Sequence, residues 1–150
     1  MGLAWAGSPE HPDDRKRSIA LEALAPLARA EGVEFHSLQK GLAAAQVAAP
    51  PAGMKLIDHD AELKDFSDTA ALVANLDLVI SVDTAPAHLA AAMGKPVWLM
   101  ITATPDWRWQ LKREDSPWYP SMRLFRQEAP SQWSAVVERV AARLAERARQ

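Results

Sequence analysis

The run Leu78-Val79-Ile80-Ser81-Val82, closed by Asp83-Thr84, limits this chain more than any other segment. It is short, apolar and rich in β-branched residues, so it reads as a buried strand. Ala85 to Met93 are small helix formers, Gly94 supplies a helix stop, and Pro96-Val97-Trp98-Leu99-Met100-Ile101 is a second apolar run entered at a proline. Strand, tight turn, short helix and strand within 24 residues make a βαβ crossover, whose connection is right-handed. A unit of that kind belongs to a parallel sheet covered by helices.

The flanking sequence repeats the alternation. Leu3-Ala4-Trp5-Ala6 predicts a first strand that starts with no lead-in, as expected of a chain cut from something longer. After a polar loop, Gly7 to Arg17, Ser18 reads as an N-cap, and Leu21, Leu24, Leu27 and Ala28 form an apolar stripe. Pro26 interrupts a regular helix, which predicts a short turn over 19–23 and a helix over 24–31. Gly32 stops it, and residues 33–38 alternate like a strand. The Ala/Pro-rich stretch 42–53 reads as a flexible connection or frayed helix, and Met54 to Ile57 as a short third strand. Asp68 or Thr69 then caps a helix that turns Leu72, Val73 and Leu76 inward. Residues 102–121 have no period and predict a long ordered loop with one helical turn; Met122 to Phe125 predict the last strand. From Ser131 a helix buries Trp133, Val136, Val137, Val140 and Leu144, with Arg139, Arg143 and Arg147 as a solvated face.

A chain of 150 residues buries about 70% of its unfolded surface and needs no staple, so 1–150 is expected to be a single domain. Absence of cysteine excludes disulfides, thiolate zinc sites and a cysteine nucleophile. Seventeen basic against nineteen acidic side chains give a net charge of −2, which argues against a duplex nucleic-acid partner. No apolar run reaches the roughly 20 residues of a membrane span, and no signal-peptide layout opens the chain, so the cytoplasm is the expected compartment.

Open parallel sheets bind ligands beyond the carboxyl ends of their strands, which directs attention to the loops after Ala6, Leu38, Val82 and Ile101. The third carries Asp83-Thr84-Ala85-Pro86-Ala87-His88. A helix N-terminus offers unpaired N–H groups and partial positive charge to a diphosphate. Ala85 and Ala87 keep the backbone approachable, Pro86 wastes no donor, and Thr84 and His88 carry donors for phosphate or a sugar hydroxyl. Asp83 repels phosphate and suits a capping or hydroxyl-binding role. The structural alternative is that Asp83 or Thr84 caps the helix and His88 is a satisfied buried histidine. Trp107, Trp109, Trp118 and Tyr119 fall within 13 residues, where they either stack on a sugar or base, with Arg108 near phosphate, or seal the loop to its domain. Asp58-His59-Asp60 is read as a solvated turn rather than a metal site. A nicotinamide dehydrogenase is disfavoured, since Gly7 stands alone where Gly-x-Gly-x-x-Gly is needed.

Asp83, Thr84, His88, Leu89, Ala90, Ala91, Gly94 and Pro96 together resemble the nucleotide-sugar signature of glycosyltransferase family nine, the heptosyltransferase-like enzymes of the GT-B fold. The departure is Ala85, where that family usually has glycine. The strings LAWAGSPEHPDDRKRSIALEALAPLA, VEFHSLQKG, DFSDTAALVANLDLVISVD and PDWRWQLKREDSPWYPSMRLFRQ further resemble the C-terminal region of bacterial tetratricopeptide-repeat proteins ending in a glycosyltransferase-like domain. The resemblance implies an α/β three-layer, Rossmann-like domain, the C-terminal, donor-binding half of a GT-B fold. It implies transfer of a hexosyl or heptosyl unit from a nucleotide diphosphate-sugar to an unknown acceptor, with no cofactor and no metal. It assigns donor-phosphate contact to Arg17, with Lys16 beside it, and the base or ribose to Gln39 and Lys40; the structural alternatives are a solvated loop in which Arg15, Lys16 and Arg17 balance Asp13 and Asp14, and a hydrated turn at Gln39 and Lys40. The catalytic base would lie in an N-terminal domain that these residues do not contain, leaving this chain inactive by itself. The competing class is a non-catalytic ligand-binding or interaction module joined to helical repeats.

Overall fold

A computed structural model describes all 150 residues. Six strands form one sheet: β1 Gly2–Ala4, β2 Phe35–Ser37, β3 Leu56–Ile57, β4 Val79–Val82, β5 Val97–Ile101 and β6 Met122–Arg126. Every neighbouring pair is parallel, in the order β3-β2-β1-β4-β5-β6. The chain winds outward from β1 to β3 and then returns to the other side of β1, so the strand order reverses between β1 and β4. That reversal opens a crevice beyond their carboxyl ends. The α/β, Rossmann-like parallel sheet expected from the sequence is the observed architecture. No helix is long and apolar enough to cross a membrane.

Alternation along the strands feeds two cores. Trp98 and Met100 of β5, Leu3 and Trp5 around β1, and Ile80 and Val82 of β4 face one layer; Val97, Leu99 and Ile101 face the other. The second layer holds α2 (Phe66–Ala74) and α3 (Ala85–Ala92), with Val73, Ala87, Ala90 and Ala91 packed inward. Gly94, at φ +73°, ends α3 in the left-handed conformation that a side chain disfavours. The first layer is α4 (Trp133–Ala148), whose Val136, Val137, Val140, Ala141 and Leu144 share a core with the 3-10 helix Leu21–Arg29, on which α4 packs, and with Val47 of a second 3-10 helix, Leu42–Ala48.

Those 3-10 helices correct two expectations. Within residues 19–31, Leu21–Arg29 form one nine-residue 3-10 segment with Pro26 inside it, instead of a turn followed by an α-helix. Three residues per turn stack i, i+3 and i+6 on one line, and the buried residues are Leu21, Leu24 and Leu27. Ala44 and Val47 repeat that spacing in the second segment, which the Gln46 side chain ties to the first by accepting from Leu21 N–H at 2.7 Å. Helix caps also moved. Asp65 caps α2, accepting from Ser67 and Asp68 N–H at 2.8 and 3.0 Å, because the helix begins before the expected cap. Ser18 ends the single turn α1 (Asp14–Arg17) instead of starting a helix, and its hydroxyl accepts from Gly7 N–H at 2.9 Å and donates to Asp14 at 2.7 Å. Of the α4 arginines, Arg139 donates to the Arg126 carbonyl and Arg147 to that of Asp77, so the outer face also fastens loops.

Candidate functional site

A cleft of about 1130 Å³ opens at the topological reversal, walled by the loops after β1, β2, β4 and β5. Asp83, Thr84, Ala85, His88, Arg17, Lys16, Gln39 and Lys40 all line it. Ala87 does not: its side chain is sealed in the core beneath α3, and its N–H bonds the Thr84 carbonyl at 3.1 Å. It therefore shapes α3 against the sheet and presents nothing to the cleft.

The β4 wall is a chain of fixed bonds. Asp83 Oδ1 accepts from His88 Nε2 at 3.0 Å, and Oδ2 from Trp109 Nε1 at 2.8 Å. The other ring nitrogen of His88, Nδ1, lies 3.1 Å from the Tyr119 hydroxyl. Burial pushes the Asp83 carboxyl up, but the bonds from His88 and Trp109 outweigh it and hold the group below its ordinary value. Asp83 thus faces the cleft as a carboxylate with lone pairs to spare, an acceptor for a hydroxyl. Ser81 Oγ donates to the Val82 carbonyl at 2.6 Å, so at its 2.8 Å contact with Thr84 the Thr84 hydroxyl is the donor and points into the protein. Neither Thr84 nor Asp83 caps α3 with its side chain. The N–H groups of Thr84 and Ala85 have no intramolecular acceptor, and they stand at the positive end of the helix. Ala85 is its first helical residue and does not have positive φ, so alanine fits there without strain.

Across the crevice, Arg17 Nη1 donates to the Asp83 carbonyl at 3.1 Å, joining the loops after β1 and β4. A Cβ on Gly7 would stand 2.5 Å from the Arg17 guanidinium, so glycine leaves that group its place. Lys16 turns outward, 72% exposed, and pairs with Asp13 at 2.8 Å. Gln39 is buried and clamps the end of β1: Oε1 accepts from Trp5 and Ala6 N–H, both at 2.9 Å, and Nε2 donates to the Ala6 and Lys40 carbonyls. Lys40 Nζ bonds the carbonyl and side chain of Asp60 at 2.7 and 2.6 Å. Asp58 closes that turn on Asp60 N–H, and His59 bonds His36 and Glu62, the structural role expected of this tripeptide.

The aromatic segment after β5 divides in two. Trp109, in the 3-10 turn Trp107–Trp109, and Tyr119 reach back to the Asp83–His88 pair; Trp109 is 0% exposed. Trp107 and Trp118 pack edge to face on the surface, 73% and 56% exposed, outside the cleft lining. Sequence reasoning found the aromatic cluster and Asp83 and His88 separately. Their connection was missed, as was the crossing from Arg17 to the Asp83 carbonyl, for which no local spacing gives a signal.

Known proteins give the same outline. Over 148 residues the chain is 32% identical to Protein FlbA of Caulobacter vibrioides, covering 96% of this chain and 24% of FlbA. The crystal structure of the glycosyl transferase family 9 from Veillonella parvula shares the fold, with a TM-score of 0.68 at 13% identity over 99% of this chain and 46% of that chain. The chain thus spans about a quarter of FlbA and less than half of the Veillonella protein. The sequence profile of glycosyltransferase family 9 (heptosyltransferase) matches residues 62–142, which carry β4, α3, β5 and the aromatic segment. With more than half of its 150 residues matched, this chain belongs to glycosyltransferase family 9.

Proposed function

We propose that this chain is the nucleotide-sugar-binding half of a glycosyltransferase, a GT-B donor domain that holds the diphosphate at the N-terminus of α3. The observation that carries the reading is the pair of unpartnered N–H groups on Thr84 and Ala85, two residues that line the cleft together with Arg17. Two such donors, the helix end and a guanidinium stabilise the charge that develops on a leaving diphosphate as a glycosidic bond breaks. Asp83, which would repel phosphate, sits with free lone pairs where a sugar hydroxyl needs an acceptor. Gln39 acts as scaffold for the nucleoside side of the cleft, with Lys40 at its edge. The reading leaves the acceptor's general base to a further domain of the parent protein, joined to helical repeats, so that residues 1–150 alone bind donor without sustained turnover.

Calorimetry with UDP, ADP and GDP on this chain tests the reading. One of the three should bind, and Arg17→Ala should weaken it by roughly 10-fold, the scale of a lost charge-assisted hydrogen bond. If the folded protein binds none of them, the donor-site reading is wrong.

A further inference from the structure

We infer that Trp109 and Tyr119 are positioning residues, which hold Asp83 and His88 from behind in one hydrogen-bonding state so that Asp83 meets a sugar hydroxyl of the donor as a fixed acceptor. The inference deepens the nucleotide-sugar reading and rests on it for the ligand, but not for the state of the pair.

The direction of each bond follows from what each group can do. An ionised carboxylate only accepts, and indole N–H only donates, so Trp109 Nε1 at 2.8 Å commits one lone pair of Asp83 Oδ2. His88 Nε2, 3.0 Å from Oδ1, must likewise be the donor. A neutral ring then carries its proton on Nε2, and Nδ1 accepts from the Tyr119 hydroxyl at 3.1 Å. The imidazole cannot turn over without losing both bonds, and it is wedged between the two aromatics. The Trp109 ring is tilted against it at 5.4 Å and the Tyr119 ring meets it edge-on at 5.7 Å.

Neither aromatic lines the cleft, whereas Asp83 and His88 both do, so Trp109 and Tyr119 act through the pair and not on the ligand. They arrive on one segment after β5, anchored where Arg126 Nη2 donates to the Trp109 carbonyl at 2.9 Å. Phenylalanine would fill the same space at Tyr119 and keep a smaller aromatic ring at Trp109. Only the indole N–H and the phenolic O–H reach the network, each on the atom that fixes its partner. Arg17, on the Asp83 carbonyl, and Arg108, nearby in the cleft wall, are the cations that face the carboxylate besides His88.

Trp109→Phe and Tyr119→Phe, in the full 150-residue chain, remove the polar atoms and keep the rings; thermal melts confirm that both fold. The first readout is the ring 15N spectrum of His88 at pH 8, assigned by loss of its signals in His88→Gln. Wild type should show the Nε2–H tautomer, and Tyr119→Phe a mixture of the two. The second readout is calorimetry with UDP-glucose, ADP-glucose and GDP-mannose, each against its nucleoside diphosphate. Each variant should lower the affinity of the sugar nucleotide relative to the bare diphosphate by roughly 3–10-fold, the scale of one ordinary hydrogen bond, with the diphosphate itself within about twofold of wild type. An Nδ1–H ring in wild type, an unchanged tautomer in Tyr119→Phe, or an unchanged ratio in both variants overturns the inference. If wild type binds no nucleotide at all, the donor-site reading falls, and the His88 spectrum alone decides whether the aromatics hold the pair.

Discussion

On the β4–β5 side of the cleft the polar side chains bond one another: Asp83 to His88 and Trp109, His88 to Tyr119, Thr84 to Ser81. On the β1–β2 side Gln39 bonds only backbone, while Lys16 and Lys40 rest on exposed carboxylates. The side chains of the first wall are set before any ligand arrives, because each of these side-chain donors already has its acceptor inside the protein, and only the backbone N–H groups of Thr84 and Ala85 lack one. The second keeps its lysines on exposed carboxylates, whose attraction solvent screens, so these pairs contribute little and exchange partners easily. A cleft built this way fixes geometry on the β4–β5 side and leaves the other side adaptable.

The largest test of that contrast is Trp109→Ala. The indole is fully buried among the α2–α3 layer and also holds Asp83, so its removal opens a cavity and strands a carboxylate oxygen. Loss of about 3–5 kcal/mol is expected, a fall of roughly 6–20 °C in thermal midpoint, read by circular dichroism. A fall of only a degree or two would mean that the β5 segment is as loosely held as the opposite wall.

Gln39→Leu probes the β1–β2 side at its one rigid point. Leucine fills similar space but leaves Trp5 N–H, Ala6 N–H and the Ala6 carbonyl without partners at the cleft floor. Water from the open cleft can reach Ala6 more easily than Trp5, so the expected loss is about 1–3 kcal/mol by urea denaturation, smaller than that of Trp109→Ala. A larger loss would reverse the ranking of the two walls.

How legible this arrangement was follows the range of the forces involved. The β4-α3-β5 unit could be read directly, since β-branched runs, small helix formers and Gly94 act locally. The 3-10 helices could not, although Leu21, Leu24 and Leu27 at strict intervals of three carry the signal; the same leucines fit an α-helical stripe until Pro26 removes the bonds that would distinguish it. Arg17 was the expected phosphate contact with Lys16 beside it, and because successive residues of a helical turn diverge by about 100°, Arg17 crosses the crevice to the Asp83 carbonyl while Lys16 pairs with exposed Asp13 at its rim. Asp83 and His88 were visible through their motif. Trp109 and Tyr119 are joined to them across a segment with no periodicity, and only the folded path of that segment decides which aromatics turn inward and which, as Trp107 and Trp118, stay outside.

The smallest effect expected is that of Asp83→Asn, and it lies mainly in pH. At neutral pH the amide can keep the network by reversing it: asparagine donates to His88 Nε2, the ring proton moves to Nδ1, and Tyr119 accepts, while the amide oxygen still takes the Trp109 N–H. About 1 kcal/mol of lost stability is the scale of that exchange. Acid separates the two proteins. Burial raises the Asp83 carboxyl, but the bonds from His88 and Trp109 lower it more, leaving a folded value below the unfolded one. A carboxylate shifted that way contributes its stability above the unfolded value, about pH 4, and loses it as pH falls through the folded value. Asparagine has no such proton to take up. The advantage of wild type over Asp83→Asn in urea denaturation should therefore shrink as pH falls below pH 4. A difference that stays constant to pH 3 would mean that the carboxylate gains nothing from its aromatic and histidine partners, and that the β4 wall is no more fixed than the lysines facing it.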